Sequence, residues 1–420
     1  MKRVFGLSIA NSFSVAIRLL ISLGLNKVLS IYLGPAGYAY FSQFTNVFNI
    51  GAILSGGMYA QPATKVLSDP DKQDTLKEHH SSIIRYWLIR AVLVALLMVA
   101  MLLITQQALG LDHVKLDWYE YVLLFLVLVM ASFNNLSLGI YSGVERFYAF
   151  ILSNITFSAA QLAAIWFLIR IFGLNGAIVG FLLAISILFV VNIFLQWDDI
   201  KRVISGFGKQ TPVGKQISKL TLAAIVSLIA SPLTYFIIRF LAIDQLGIES
   251  AGYWQAVWKL SDTYLLIFIS AFSMMLLPFL NKIVDLNEQL IFLRKIILYS
   301  IGLLVPFFAI IYVWSEDIVG LLFSDEFLYM INYLVFQFIG DVFKVINIAL
   351  GFLFLSKSWI KQYIFIELLA FLGFVTLSAV LINTVGESGI GIAYIVNSIF
   401  ITGVMISVVY SKYVVSGAYR

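Results

Sequence analysis

Cysteine is absent from the 420 residues, which excludes disulfides, thiolate chemistry and Cys-based zinc sites together. Charge is scarce too. Asp, Glu, Lys and Arg make up 12% of the chain, roughly half the share of an ordinary globular domain. The three histidines, His79, His80 and His113, lie in polar stretches between apolar runs and read as solvated side chains. Long polar segments are missing as well. The largest, around Asp198 to Lys215, has about 20 residues, too few for a separate domain. A cleavable signal peptide is not expected, because the first apolar run is long, carries Arg18 and has no small-residue cleavage site.

What fills the chain instead is hydrocarbon: 61% of residues are apolar and 15% aromatic. One water-soluble core could not hide that much surface, so lipid must be the solvent for most of it. A net charge of +5 does not point to nucleic acid here, since the cations cluster in short stretches between apolar runs. A helix needs about 20 apolar residues to cross the bilayer core. Twelve such runs occur, at roughly 5–31, 39–64, 82–105, 118–141, 148–171, 176–197, 217–241, 252–281, 293–314, 327–355, 360–383 and 389–411. None alternates in polarity as a membrane β-strand would. The expected fold is therefore all-α, a polytopic membrane protein.

Lys and Arg set the orientation. With the N-terminus placed in the cytoplasm, the inner segments hold 19 basic residues and the outer loops 3, Arg239 being counted with the latter. The remaining five, Arg18, Lys27, Arg90, Lys259 and Lys344, fall within spans. Both termini are expected in the cytoplasm.

Four motifs recur at nearly constant offset. Ala36-Gly37-Tyr38 returns as Ala251-Gly252-Tyr253, and Met58-x-x-x-Pro62 as Met274-x-x-x-Pro278. Leu138-Gly139 returns as Leu350-Gly351, and Gly173-x-x-Gly176 as Gly386-x-x-Gly389. In order, they argue for six helices duplicated to twelve: two pseudo-symmetric six-helix bundles, residues 1–205 and 206–420, around a central cavity. Six is even, so the halves share one orientation about an axis along the membrane normal. Pro62, Pro232, Pro278 and Pro306 lie within spans, where each permits a bend.

Six ionisable residues sit deep in spans: Arg18, Lys259, Asp262, Asp341, Lys344 and Glu367. A charge at mid-bilayer costs roughly 2.5–3.5 kcal/mol on insertion scales, so these should face a wet cavity or one another. Their neighbours form polar faces at helical spacing: Asn11, Ser14, Arg18 and Ser22; Gln43, Asn46 and Asn49; Gln255, Lys259 and Asp262; Gln337, Asp341, Lys344 and Asn347. Such stripes also serve as glue between helices. Lys259 with Asp262 and Asp341 with Lys344 are i, i+3 pairs close enough to neutralise each other. Interchanging Asp341 and Lys344 is accordingly expected to preserve folding and abolish function. Arg18 has no such local partner, and its guanidinium matches phosphate in a bidentate way. Glu367 and Asp341 are candidates for carrying a coupling ion. Lys27 and Arg90 lie nearer span ends, where long cations snorkel. Five cations against three acids favour an anionic substrate, and Asn46 and Arg90 complete the substrate-binding set.

These residues resemble a known family. A basic mid-span residue in the first helix followed by Gly34-Pro35-Ala36-Gly37, then Ser261-Asp262-x-Tyr264, Leu277-Pro278, Gly340-Asp341-x-x-Lys344 and Glu367, look like the Wzx-type polysaccharide-unit flippases. That group belongs to the superfamily that also holds multidrug extruders and lipid II flippases. The likeness covers nearly the whole chain and is stronger over 215–370, which looks especially like the flippase for enterobacterial common antigen units. Ile366 before Glu367, in place of Ala, is a small departure. The resemblance implies alternating access for an undecaprenyl-diphosphate-linked oligosaccharide, an O-antigen or related unit, from the cytoplasmic to the periplasmic face of the inner membrane. It implies that Arg18, with Lys259 and Lys344, holds the diphosphate, and that protons or sodium drive the cycle. It also implies membrane lipid, a polysaccharide polymerase and a chain-length regulator as partners, and no cofactor.

Two rival readings differ in class. A cation-coupled multidrug extruder should carry a carboxylate mid-way along the first span, where this chain has Arg18. A membrane glycosyltransferase or polymerase should have large outer loops. The outer acids here include Glu316-Asp317 and Asp325-Glu326, in a short loop without histidine, and read as solvated charges. The chain is not expected to be an enzyme.

Overall fold

In lipid a backbone finds no water to bond, so each apolar run must close its hydrogen bonds on itself as helix. The computed structural model of the chain describes residues 2–68, 76–105, 118–205, 213–283 and 285–417, and among these there are helices and no strand. In chain order they are α1 (Lys2–Leu54), α2 (Ala60–Leu67), α3 (Leu76–Thr105), α4 (Trp118–Gly143), α5 (Phe147–Leu195), α6 (Trp197–Ser205) and α7 (Val213–Leu246). There follow α8 (Ile248–Ala271), α9 (Leu277–Lys282), α10 (Leu286–Val313), α11 (Ser315–Leu322), α12 (Ile331–Ser356), α13 (Ile360–Val385) and α14 (Ser388–Gly417).

Two of these are too long for one crossing. The 53 residues of α1 and 49 of α5 would run about 75–80 Å if straight, more than twice the hydrocarbon core. A glycine breaks each one. Gly34 takes φ 59°, ψ −175° and Gly173 takes φ 53°, ψ −129°, conformations that an L side chain strongly disfavours. Among the described residues nine helical segments are long and apolar enough to cross a membrane. With α1 and α5 each counted as two arms, they contain eleven of the twelve expected spans. The twelfth corresponds to α8, where Gln255, Lys259 and Asp262 lower the hydropathy. The protein is a polytopic all-α membrane protein.

The chain packs into two units, Met1–Leu33 with Phe41–Leu233, and Gly34–Tyr40 with Thr234–Arg420. In the first, Met58, Tyr59, Trp87, Phe133, Leu136 and Ile140 form a core joining α2, α3 and α4. Phe181 of α5 meets Phe41, Phe44 and Phe48 of α1 edge-on, with centroids 5.4–6.5 Å apart. In the second, Trp254 and Trp258 of α8 pack with Phe374, Ile382 and Ile390, while Tyr38 meets Phe323 and Phe327 edge-on.

Several joints repeat at nearly the offset of the recurring motifs. Glu145 and Ser358 stand 213 positions apart, and both adopt φ 56°. Around them, Arg146 N–H donates to Tyr141 O at 2.8 Å and Trp359 N–H to Phe354 O at 2.9 Å, the same spacing again. A Cβ on Gly176 would lie 2.1 Å from Leu168 O, and one on Gly389 2.4 Å from Leu381 O, so both hairpins close too tightly for any side chain. Asn134 Nδ2 donates to Ile185 O at 3.0 Å, and Asn347 Nδ2 to Ser398 O at 3.3 Å. In this register the Leu138-Gly139 and Leu350-Gly351 match, offset by 212, falls one residue out of step. The Met-x-x-x-Pro motifs mark an irregularity in both halves: a tight turn at Gly57–Tyr59 before α2 and a widened turn at Phe272–Leu276 before α9.

Candidate functional site

In the first unit Arg18 is half-buried in α1. Its Nη1 donates to Asn154 Oδ1 of α5 at 2.7 Å, and Asn154 is itself held by Nδ2 donating to Phe150 O at 2.8 Å. The amide orients the guanidinium without neutralising it. Among the described residues no carboxylate pairs with Arg18. Arg90 is half-buried in α3, its guanidinium 3.4 Å above the Tyr86 ring one turn earlier, and Tyr86 in turn meets Tyr59 edge-on at 5.5 Å. Stacking occupies the face of that cation and leaves its N–H edge available. Asn46 donates through Nδ2 to Pro232 O of α7 at 3.0 Å, tying α1 to the proline turn.

The second unit holds the remaining candidates. Asp341 of α12 is 0% exposed. Its Oδ1 accepts from Gln337 Nε2 at 3.0 Å and from the Tyr394 hydroxyl of α14 at 2.6 Å. Its Oδ2 accepts from Ser261 Oγ of α8 at 2.7 Å and from the Tyr264 hydroxyl. Lys344, one turn on, is exposed. On α8, Lys259 is half-buried and Asp262 exposed, with Asp262 Oδ1 accepting from Trp258 Nε1 at 3.1 Å. Glu367 of α13 is half-buried and hydrogen-bonded by Tyr363 one turn earlier.

The two i, i+3 sets do not neutralise themselves. Among the described residues neither Lys259 with Asp262 nor Asp341 with Lys344 closes an ion pair, whereas Arg146 and Asp199 do, at 2.9 Å. Asp341 turns inward onto neutral donors while Lys344 turns out. The side chains of Asn11, His79 and His80, and the whole of His113, lie outside the described residues. No group of three His, Asp or Glu side chains among the described residues is placed to hold a metal.

Three polar centres escape sequence reasoning. Arg239, counted with the outer loops, is 3% exposed in α7 and donates through Nη2 to Gln255 of α8. Its position near a span end hid it, although helical spacing from Tyr235 would have placed both on one face. Asn192 Oδ1 accepts from Ser153 Oγ at 2.8 Å and the Tyr141 hydroxyl at 3.1 Å, and its Nδ2 reaches Asn134 Oδ1 at 3.0 Å. This buried set fastens α4 to α5. Third, Glu387, between α13 and α14, accepts from Tyr329 at 2.7 Å, Ser250 at 2.9 Å and Tyr333 at 3.1 Å.

Burial works against the Glu387 charge, but the three hydroxyls outweigh it and hold the carboxyl below the ordinary glutamate range. A carboxylate depressed in the folded state stabilises fully above its unfolded value, near 4.5, and loses that contribution as pH falls through the folded value. Glu387→Gln should therefore lower the thermal midpoint at pH 7 by about 1–2 °C, a small effect because the site is open to solvent. The difference from wild type should vanish near pH 3. Melting curves at both pH values in detergent check this, and an equal difference at both would detach it from ionisation.

With the fold and site described, comparison with known proteins becomes informative. No family model matches the chain. The Lipid III flippase of Escherichia coli K12 is 26% identical over 402 residues, covering 92% of this chain and 93% of that one. Among solved structures, an inward-facing multidrug resistance MATE family transporter of the MOP superfamily matches with TM-score 0.72 at 14% identity, over 96% of this chain and 98% of the other. A MATE protein in complex with MaD5 matches with TM-score 0.65 at 15% identity, over 97% and 94%. The fold is that of the MATE transporters. The proteins it matches are transporters and a flippase, not enzymes.

Proposed function

We propose that the chain is a flippase that carries a diphosphate-linked saccharide on a polyprenyl anchor from the cytoplasmic to the periplasmic face of a bacterial inner membrane. The undecaprenyl carrier and a surface-polysaccharide repeat unit fit this reading, with alternating access as the mechanism. Arg18 is the observation that carries it. A mid-span guanidinium held by a neutral amide, with no carboxylate pairing among the described residues, is an anion seat built at an energetic cost. Lys259 and Lys344, without an ion pair among the described residues, and the edge of Arg90 add positive charge along the two units. The relative at 26% identity, named a Lipid III flippase, supports a lipid-borne substrate. Both termini lie in the cytoplasm on this reading, by the 19-to-3 split of basic residues. A polymerase and a chain-length regulator are the partners that would consume the product.

The test is reconstitution of the purified chain into liposomes holding a fluorescent polyprenyl-diphosphate oligosaccharide in one leaflet. Transfer to the other leaflet should run at least about 30-fold faster than for the same anchor and sugar joined without phosphate, matching the roughly 2 kcal/mol or more expected for a paired charge. Equal rates for the two lipids would sink the proposal. Accumulation of a cationic dye instead would move the chain to drug extrusion.

A further inference from the structure

Three chain segments meet at one end of the second unit: the start of α8, the turn at Asp325–Met330 before α12, and the junction of α13 with α14 at Gly386 and Glu387. Tyrosines line the meeting place. Tyr253 of α8 lies 5.2 Å from Tyr329, the rings tilted by 45°, and stands edge-on to Phe327 at 6.1 Å. Tyr329 meets Tyr333 at 6.1 Å. Phe327 and Tyr333 are buried and anchor the group, whereas Tyr329 is 47% exposed and Tyr253 half-buried. The turn of α8 that carries Tyr253 sits directly on backbone, since a Cβ on Gly252 would lie 2.1 Å from Pro35 O. A tyrosine that only belts a membrane turns its hydroxyl to water or head groups. Here the hydroxyls of Tyr329 and Tyr333 both donate to Glu387 instead, which fixes the rings and leaves aromatic surface facing out.

We infer that this tyrosine platform is a saccharide subsite, one that accepts neutral sugars and refuses acidic ones. The inference deepens the transport reading above and rests on it for the sugar's lipid anchor. A sugar ring offers a flat face of C–H groups and a rim of hydroxyls, so it needs an apolar surface beside fixed acceptors. Tyr253 and Tyr329 supply the surface. Glu387 is an acceptor already held in place, by Tyr329, Ser250 and Tyr333. Glu249 and Glu326 are exposed, and both act with Glu387 on the Tyr253 phenol. An ionised carboxylate accepts from a hydroxyl more strongly than a neutral group does. These acids do not converge as metal ligands would; among the described residues no such group is placed to hold an ion. The sign of the field sets the specificity. The polar segments at this end, 242–253, 314–331 and 383–389, carry seven carboxylates and no lysine or arginine. A uronate meets like charge there, and a neutral sugar does not. On the orientation proposed above, this end faces the periplasm, where the sugar arrives.

Saturation-transfer NMR on the purified full chain in nanodiscs tests the assignment without any transport. Maltotriose and chitotriose serve as neutral probes and a hyaluronan tetrasaccharide as the acidic one. At least one neutral probe should bind saturably, and the acidic one about tenfold more weakly at low salt. That gap should narrow at about 1 M salt, where charges are screened within a few ångströms. Tyr329→Ala should weaken neutral binding about tenfold, whereas Tyr329→Phe keeps the ring and should recover part of the loss. Should Tyr329→Ala fail to fold, Glu326→Lys, at an exposed position, should bind the acidic probe about tenfold more tightly than wild type does. No binding of either neutral probe, equal binding of the acidic one, preference for trilysine over the neutral probes, or unchanged binding in folded Tyr329→Ala or in Glu326→Lys would each overturn the inference. Sugar binding as expected beside a failed liposome assay would remove the flippase reading alone. Transfer in liposomes without this sugar binding would remove the subsite alone.

Discussion

Arg18→Ala should cut transfer of a diphosphate-linked substrate by about 30-fold or more while leaving the protein inserted and abundant. The magnitude follows from removing one partner of a desolvated charge pair, which costs about 2–5 kcal/mol. Insertion should not suffer, because a mid-span cation is itself a burden of roughly 2.5–3.5 kcal/mol that alanine lifts. Geometry refines the expectation. Asn154 engages one of the five guanidinium N–H groups, which leaves a fork for two phosphate oxygens. Arg18→Lys keeps the charge and loses the fork, so it should recover only part of the rate. Asn154→Leu keeps the guanidinium and frees its orientation, and should weaken transfer less than Arg18→Ala. Rates in liposomes, alongside surface-polysaccharide production in a complemented strain, decide the matter. Wild-type production by Arg18→Ala would take Arg18 out of the substrate site.

The fold was legible because lipid leaves the chain few choices. Apolar runs of span length must be helices, and the breaks at Gly34 and Gly173 stood out as polar or glycine-bearing gaps between them. The recurring motif was legible where backbone geometry admits glycine alone, as at Gly176 and Gly389, whose positions no side chain could share. The candidate site was legible only in part. Counting along α12 placed Gln337, Asp341, Lys344 and Asn347 on one polar face. It could not say that the face divides, with Asp341 inward, Lys344 outward and Asn347 clamped to α14. Spacing within a helix reports which residues are neighbours, not which of them another helix will claim. The donors that claim Asp341, Tyr264 and Tyr394, come from α8 and α14 and have no local signature among 21 tyrosines. Arg239 was hidden differently, since a cation near the end of an apolar run looks like a loop charge until α7 is seen to continue to Leu246.

That division of the α12 face reverses one expectation. A self-neutralising pair would survive interchange, yet the double variant Asp341→Lys with Lys344→Asp should fold poorly. The inward position holds four donors and offers no carboxylate. A lysine there brings three more donors and no acceptor. The three hydroxyls would have to turn, and Gln337 Nε2 would lose its acceptor. An uncompensated buried charge costs about 3–5 kcal/mol. The outward position tolerates either sign, so Lys344→Asp alone should leave the thermal midpoint nearly unchanged. The four-way comparison of wild type, both single variants and the double variant reports the coupling directly. Residues that touch couple by about 0.5–3 kcal/mol, and separate ones add. Since Asp341 and Lys344 make no ion pair among the described residues, the double variant should be as unstable as Asp341→Lys and gain nothing from the second change. Recovery of the wild-type midpoint on combining the two would mean that the carboxylate and the ammonium find each other after all, and that the ring of hydroxyls is not what holds Asp341.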